Sequence, residues 1–337
     1  MRTTSETIKI SVIIPYFQRE REILNRALTS VLRQNLPTNV IVEVIVIDDG
    51  SPVPAQQEVG GLVFQSPFRL ILIPQANSGV AAARNAGLAV LDETSRYIAF
   101  LDSDDSWHEN HLWQGITALE QGHDFYFCDN RREGHHHSNF TLGKGLILPF
   151  VEQAGNADFI SVPKDKLAAI ILQDCPSQMS SIIYRRGIAP ELRFDTSKKR
   201  AGEDITFFLM LLSNVQNPCF SPKVMVTCGQ GINIYFGNLH WNSDGNLGRI
   251  IDNLRAHISI KSHCNLSTEN SRWNDGEIMK LRREVAFHAL RKYIKNRGKW
   301  PDELNVLRYE DRWFLCWFII CTVQVALGRI MKLYSPR

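Results

Sequence analysis

A mixed α/β fold, with a mainly parallel sheet covered by helices on both faces and a helical C-terminal region, is predicted by three features of this 337-residue chain. β-Branched runs alternate with amphipathic segments through the first 130 residues. Those runs are predominantly apolar instead of regularly alternating with polar residues, as expected of strands buried on both faces. The C-terminal third changes character, and long, partly basic helical segments replace the strands.

The elements follow in order. Ile8–Ile14 and Val40–Ile47 read as strands, ended by Pro15 and by Asp48-Asp49-Gly50. Between them, Arg19–Gln34 places Leu24, Ala27, Leu28 and Val31 on one helical face. Phe68–Ile73 is a third strand, Gly79–Val90 an Ala-rich helix, and Tyr97–Leu101 a fourth strand. His108–Gln121 is predicted helical and Phe125–Cys128 a fifth short strand. Residues 131–165 are less regular, and Gly134-His135-His136-His137 reads as a solvated loop before a metal cluster. A further strand is expected within Ser177–Arg185, and a helix over Arg200–Ser213 that opens with Gly202-Glu203-Asp204. Residues 229–243 form a Gly- and aromatic-rich loop. In parallel sheets, ligands bind beyond the carboxyl ends of the strands. Here those ends carry Pro15-Tyr16, Asp48-Asp49, Gln75-Ala76-Asn77 and Asp102-Ser103-Asp104.

Composition narrows the function classes. Hydrophobic content of 44% and charged content of 22% are ordinary for a globular protein, and a net charge of +3 gives no argument for a nucleic-acid partner. Seven scattered cysteines without a CxxC pair point to reduced thiols, away from a disulfide framework or a zinc ribbon. Met1–Lys9 is polar and lacks an apolar signal-peptide core, so a cytoplasmic catalytic part is expected.

Two C-terminal segments point to a membrane surface. Lys280–Lys299 holds eight Lys or Arg against the single acid Glu284. Ala286, Ala289, Leu290 and Tyr293 share one helical face, and His288, Arg291, Lys292 and Lys295 the opposite one. This pattern fits a basic helix on anionic lipid, or equally a solvated face over a core. Trp313–Gly328 is a 16-residue stretch without a charge, bracketed by Arg312 and Arg329. As a helix it measures about 24 Å, short of the roughly 30 Å hydrocarbon thickness, so an in-plane helix is expected over a span. The alternative is burial at a dimer interface, which would make the chain a homo-oligomer.

Asp102, Asp104 and Asp105 place three carboxylates in four positions. Such groups repel unless a cation sits among them, and Mg²⁺ or Mn²⁺ carrying a substrate phosphate has the right preference for oxygen. The alternative is an acidic turn in which Asp105 or Ser106 caps the next helix. A carboxylate at Asp49 can accept the N–H of uracil, which cytosine lacks, and Tyr16 after the strand-ending Pro15 can lie against a base. Gly79 permits close backbone approach, and Arg84 can reach a base or phosphates, or form a surface ion pair.

Four pieces occur in order: Val12-Ile13-Ile14-Pro15-Tyr16-Phe17-Gln18-Arg19, Val44–Ser51, Asn77–Gly87 and Asp102–Asp105. Together they closely resemble family 2 glycosyltransferases of the GT-A fold. The resemblance implies that Asp49, supported by Asp48, contacts the base. It implies that Asp102-Ser103-Asp104 is the DXD motif, with Asp104 on the metal and Asp102 on the ribose or the metal's waters. Glu203-Asp204 resembles the family's acidic pair, so Asp204 is expected as the base that deprotonates an acceptor hydroxyl, with Glu203 as its neighbour. The stretches 200–208 and 228–243 look like bacterial β-glucosyltransferases that build succinoglycan-type exopolysaccharide. That narrower likeness implies a UDP-sugar donor (glucose), a polyprenyl-diphosphate-linked oligosaccharide acceptor, a β-linked product, and peripheral attachment to the inner face of the plasma membrane.

The expected domains are a catalytic domain over 1–245 and a helical region over 246–337. The first holds a nucleotide half to about residue 130 and an acceptor half from 131. A dehydrogenase is disfavoured because no GxGxxG follows the first strand, and a nucleotidyltransferase because no Gly-rich phosphate loop lies near residue 15. Two alternatives remain. One is a non-catalytic, membrane-bound assembly protein that retains the fold, and the other is a glycosyltransferase of another cell-surface polysaccharide.

Overall fold

The computed structural model describes residues 6–229, 243 and 245–334. The chain divides into two compact units, residues 1–197 with 203–232, and residues 198–202 with 233–337. Among the described residues the first unit is organised by one nine-stranded sheet. Strands β1 (Ile8–Tyr16), β2 (Val40–Asp48), β3 (Phe68–Pro74) and β4 (Tyr97–Phe100) are parallel, in spatial order 3-2-1-4. Helices α1 (Ile23–Leu32), α2 (Ala55–Val59) and α3 (Val80–Ala89) connect them.

Beyond β4 come β5 (Ser106–Trp107), α4 (His111–Glu120), β6 (Phe125–Arg132), α5 (Asn139–Leu142) and α6 (Leu148–Ala154). They are followed by β7 (Ile160–Ser161), α7 (Lys164–Gln173), β8 (Ile182–Arg185), α8 (Glu203–Asn214) and β9 (Pro218–Cys228). β8 inserts antiparallel between β4 and β6, whereas β6 and β9 are again parallel. The sheet is thus parallel through its nucleotide half and mixed beyond it.

Alternation along the strands sorts side chains between two covers. Val12, Ile14 and Tyr16 share a core with Leu24, Ala27, Leu28 and Val31 of α1 and with Leu112 and Ile116 of α4. Ile45 and Ile47 face the other way and pack on Ala83 of α3. On that side Phe100 meets Phe194 and Phe207 of α8 edge-on, and Phe194 stacks on Phe207 with centroids 3.9 Å apart. Gly87 lets α3 approach β1, since a Cβ there would lie 2.4 Å from Ile13 Cγ2. Gly87→Ala is therefore expected to cost about 1–3 kcal/mol through overpacking. The urea transition of the sheet unit measures it, and an unchanged midpoint would refute the tight contact.

Three boundaries differ from expectation for physical reasons. α1 begins at Ile23 instead of Arg19, because Glu22 adopts a left-handed φ of 68°. α4 begins at His111, because Ser106–Trp107 pairs with β9 first. β9 was not anticipated: Pro222 and Lys223 interrupt its pattern, and the register against β6 shifts near Cys128–Asn130.

The second unit contains α9 (Asn246–His263), α10 (Thr268–Lys295), α11 (Asn305–Glu310) and α12 (Phe314–Tyr334). Its core joins Leu247, Ile250 and Leu254 of α9 to Ile278, Leu281, Val285 and Ala289 of α10 and to Phe314, Trp317, Phe318 and Cys321 of α12. Ser267 caps α10 by accepting from Asn270 N. Of the basic residues over 280–299, Lys280 pairs with Glu277, Arg282 with Asp311, and Lys292 with Glu303, while Ile278, Leu281, Val285 and Ala289 of α10 lie in the core.

Candidate active site

The carboxyl ends of β1, β2 and β3 lie level, since Tyr16 registers with Asp48 and Asp48 with Pro74. Pro15 stands past the last β1–β4 pair, Ile13 with Phe100, so its missing N–H removes no ladder bond. The two aspartates that end β2 are loop anchors. Asp48 Oδ1 accepts from Ser51 N at 2.9 Å and Oδ2 from Ala55 N at 2.8 Å, at the start of α2. Asp49 Oδ1 accepts from Gln75 Nε2 and Ser78 N, and its Oδ2 accepts from Gly79 N at 2.8 Å. Gly79 precedes α3 with φ +92°, a conformation that favours glycine, and no atom lies within 4 Å of the position a Cβ would take.

Tyr16 departs from the expectation of a base-stacking ring. It belongs to the core, is 1% exposed, and donates its hydroxyl to Val53 O at 2.7 Å. Burial pushes its pKa up to about 12. Its ring has no face left for a ligand, and it instead fixes the 51–53 turn.

Arg84 holds the centre of the constellation. Its buried Nη2 donates to Asp102 Oδ1 at 2.8 Å. Its Nη1 lies 3.8 Å from Glu203 Oε1 and 3.9 Å from Asp204 Oδ1. The guanidinium also sits over the Phe194 ring, 5.2 Å from the centroid. Burial opposes its charge, but Asp102, Asp204 and Glu203 outweigh that and raise its pKa. The sequence allowed for a surface ion pair, but the structure shows a buried cation that joins Asp102 to the acidic pair on α8.

The carboxylates divide by exposure. The Asp204 side chain is 43% exposed, whereas that of Glu203 is 13% exposed. Burial, and then the charge of Asp204, raise the Glu203 pKa well above the usual carboxylate range. Glu203 is thus an enclosed carboxyl, with its charged form disfavoured, beside the more open Asp204. Burial and then Asp102 push Asp104 up to about 6. Asp105 is raised further, by burial first and then by Asp102 and Asp104.

Asp105 caps no helix. Its Oδ1 accepts from Gly229 N at 2.9 Å and its Oδ2 from Ser180 Oγ. Ser180 Oγ in turn accepts from Asp102 N at 2.9 Å. Gly229 is obligatory in this geometry, since a Cβ would lie 1.9 Å from the Asp104 carbonyl oxygen. Arg26 donates to that same carbonyl, and Gln18 Nε2 donates to Ser103 Oγ at 3.2 Å. Ser180, Arg26 and Gly229 were not foreseen as parts of the site. Gln18 lies within the first quoted motif, but its neighbours give no local sign of a contact 85 residues away.

Among the described residues no three or more His, Cys, Asp or Glu converge into a closed metal site. Asp104, raised by burial and then by the charge of Asp102, nevertheless fits a cation held by one or two carboxylates and completed by ligand oxygens. His135, His136 and His137 are exposed in a turn. The segment 230–242, on which part of the exopolysaccharide resemblance rests, lies outside the described residues.

Residues 11–171 match the profile of the family described as Glycosyl transferase family 2. The chain carries a domain of that family and is a glycosyltransferase. It is 28% identical over 303 residues to the succinoglycan biosynthesis protein ExoW of Rhizobium meliloti (strain 1021), covering 85% of this chain and 93% of that one. It is 34% identical over 149 residues to the minor teichoic acid biosynthesis protein GgaA of Bacillus subtilis (strain 168), covering 40% of this chain and 31% of that one. The crystal structure of S. aureus TarS 1–349 in complex with UDP superposes with a TM-score of 0.55 at 16% identity, over 90% of this chain and 76% of that chain. The mannosyltransferase PcManGT from Pyrobaculum calidifontis, in complex with GDP-Man and Mn2+, gives a TM-score of 0.51 at 12% identity, over 94% and 86% of the two chains. At these identities the structural likeness is one of fold, the GT-A arrangement.

Proposed function

We propose that the chain is an inverting, metal-dependent glycosyltransferase of exopolysaccharide synthesis. It transfers glucose from UDP-glucose to a hydroxyl of a polyprenyl-diphosphate-linked oligosaccharide, at the cytoplasmic face of the membrane. The observation that carries this reading is the half-open Asp204 carboxylate beside an enclosed Glu203, both facing Arg84, which also holds Asp102. The UDP complex of TarS and the name of the succinoglycan relative support the donor and the pathway class.

In this reading Asp204 accepts the proton of the acceptor hydroxyl as its oxygen bonds to the anomeric carbon. The bond from that carbon to the diphosphate breaks on the opposite face, and its electron pair leaves with UDP. An α-linked donor thus gives a β-glycoside. Glu203 is enclosed against Arg84, which leaves Asp204 as the carboxylate of the pair open to an acceptor. Asp49 already accepts three hydrogen bonds, and a carboxylate offers about four acceptor positions. One remains for the uracil N–H. Asp104, assisted by Asp102, would hold Mg²⁺ or Mn²⁺, which when bound offsets charge on the diphosphate.

A screen of UDP-sugars with Mn²⁺ or Mg²⁺, read by donor hydrolysis and by protection against unfolding, tests the donor. Protection by UDP-glucose above other UDP-sugars is expected, and no response to any of them would sink the proposal. The pH dependence has a definite sign. Without a cation the folded chain keeps the Asp104 proton to about pH 6, against 3.8 for the ordinary side chain. The stability this contributes is complete below 3.8 and is lost as pH rises through 6. A cation that binds the ionised form should therefore raise the melting temperature at about pH 7.5 and hardly at about pH 5. Asp104→Ala should remove the difference, and a cation shift that survives it would move the metal elsewhere.

A further inference from the structure

Helix α12 is apolar on two opposite sides. Phe314, Trp317, Phe318 and Cys321 recur at helical spacing and are buried in the core of the second unit. Leu315, Ile319, Ile320, Val323 and Leu327 fall on the outward side, each between 51% and 61% exposed. Trp313, at 56% exposed, precedes them with the Arg312 guanidinium 4.9 Å from its ring centroid. A helix that is apolar all round belongs inside something, and this one is covered on one side only.

We propose that the outward side of α12 is the surface by which this chain lies in the headgroup region of an anionic membrane. This rests on the reading of a membrane-anchored acceptor given above. Charge complementarity selects the lipid over a second copy of the chain. Residues 233–337 hold 17 Lys and Arg against ten Asp and Glu, a net +7, while residues 1–232 carry −4. A second copy would bring the same positive unit against itself, whereas anionic headgroups attract it. No helix among the described residues is long and apolar enough to cross a membrane. The inward side of α12 is seated on its own core, so the helix lies along the body of its unit and meets the bilayer in plane. An exposed Trp beside an Arg is a pairing suited to that interface. The inserted element is thus α12, while residues 280–299, with eight Lys and Arg against one acid, carry the excess positive charge.

The test is flotation of the full chain with vesicles of phosphatidylglycerol and phosphatidylcholine, compared with phosphatidylcholine alone. The wild type should float with the anionic vesicles and should be released by high salt. The triple substitution Leu315→Asp, Ile319→Asp, Val323→Asp should lower binding by more than about tenfold. The milder pair Ile319→Ser, Val323→Ser should lower it partially. Retained UDP-sugar hydrolysis and an unchanged melting temperature certify that the variants fold. Undiminished flotation of both variants would overturn the assignment of this face and leave the membrane reading standing. A wild type that floats with no vesicle would overturn both. If in addition it is dimeric and the triple variant monomeric, the face belongs to a second copy. Equal binding to neutral vesicles would overturn the anionic partner.

Discussion

Asp204→Asn is expected to keep donor affinity within about twofold of the wild type while turnover falls by about 10²–10⁴-fold. The substitution preserves shape and removes only the ability to take a proton. The Asp204 side chain is half-open to solvent while Glu203 is enclosed, so Asp204 is the carboxylate of the pair that an acceptor can reach. Calorimetry with UDP-sugar and a single-turnover transfer assay separate the two quantities. Near-normal transfer would place the base elsewhere, and a parallel loss of donor affinity would make Asp204 part of the donor site.

Arg84→Met is expected to produce the largest stability loss, about 3–5 kcal/mol, because it leaves buried or half-buried carboxylates without their shared cation. For a unit of this size that corresponds to a fall in melting temperature on the order of 10 °C. Arg84→Lys retains charge but cannot span both partners, since Nη2 serves Asp102 while Nη1 faces Glu203 and Asp204. It should fall between wild type and Met. A Met variant within about 1 kcal/mol of wild type would show that the carboxylates find other partners or protonate.

Much of the sheet from β1 to β4 could be read along the chain. These strands are predominantly apolar runs, and the acidic and glycine positions at their ends are close in sequence to the strands that hold them. Tyr16 shows how far such reading extends. Its type and its place after Pro15 pointed to a base contact, but Val12, Ile14 and Tyr16 share one face of β1, and that face is core. The period of the strand was the better guide. Contacts across long separations left no local trace. Ser180 reaches Asp102 and Asp105 from 78 and 75 residues away, and Gly229 reaches Asp105 from 124. The ion pairs of α10 were hidden for the same reason, since Glu303 and Asp311 come from segments beyond the helix.

The insertion of β8 between β4 and β6 bears on how the chain comes into being on the ribosome. The stretch that matches the family profile ends at residue 171, before β8, α8 and β9 have been made. A nascent chain of that length has Asp102–Asp105 but no strand to close the open edges of β4 and β6, no Ser180 hydroxyl and no Gly229 amide for Asp105. Its exposed strand edges are what sheets aggregate through. The matched segment alone is therefore not expected to fold when cut out and expressed. Folding must wait for pairings of high sequence separation, which makes it slow relative to helical domains.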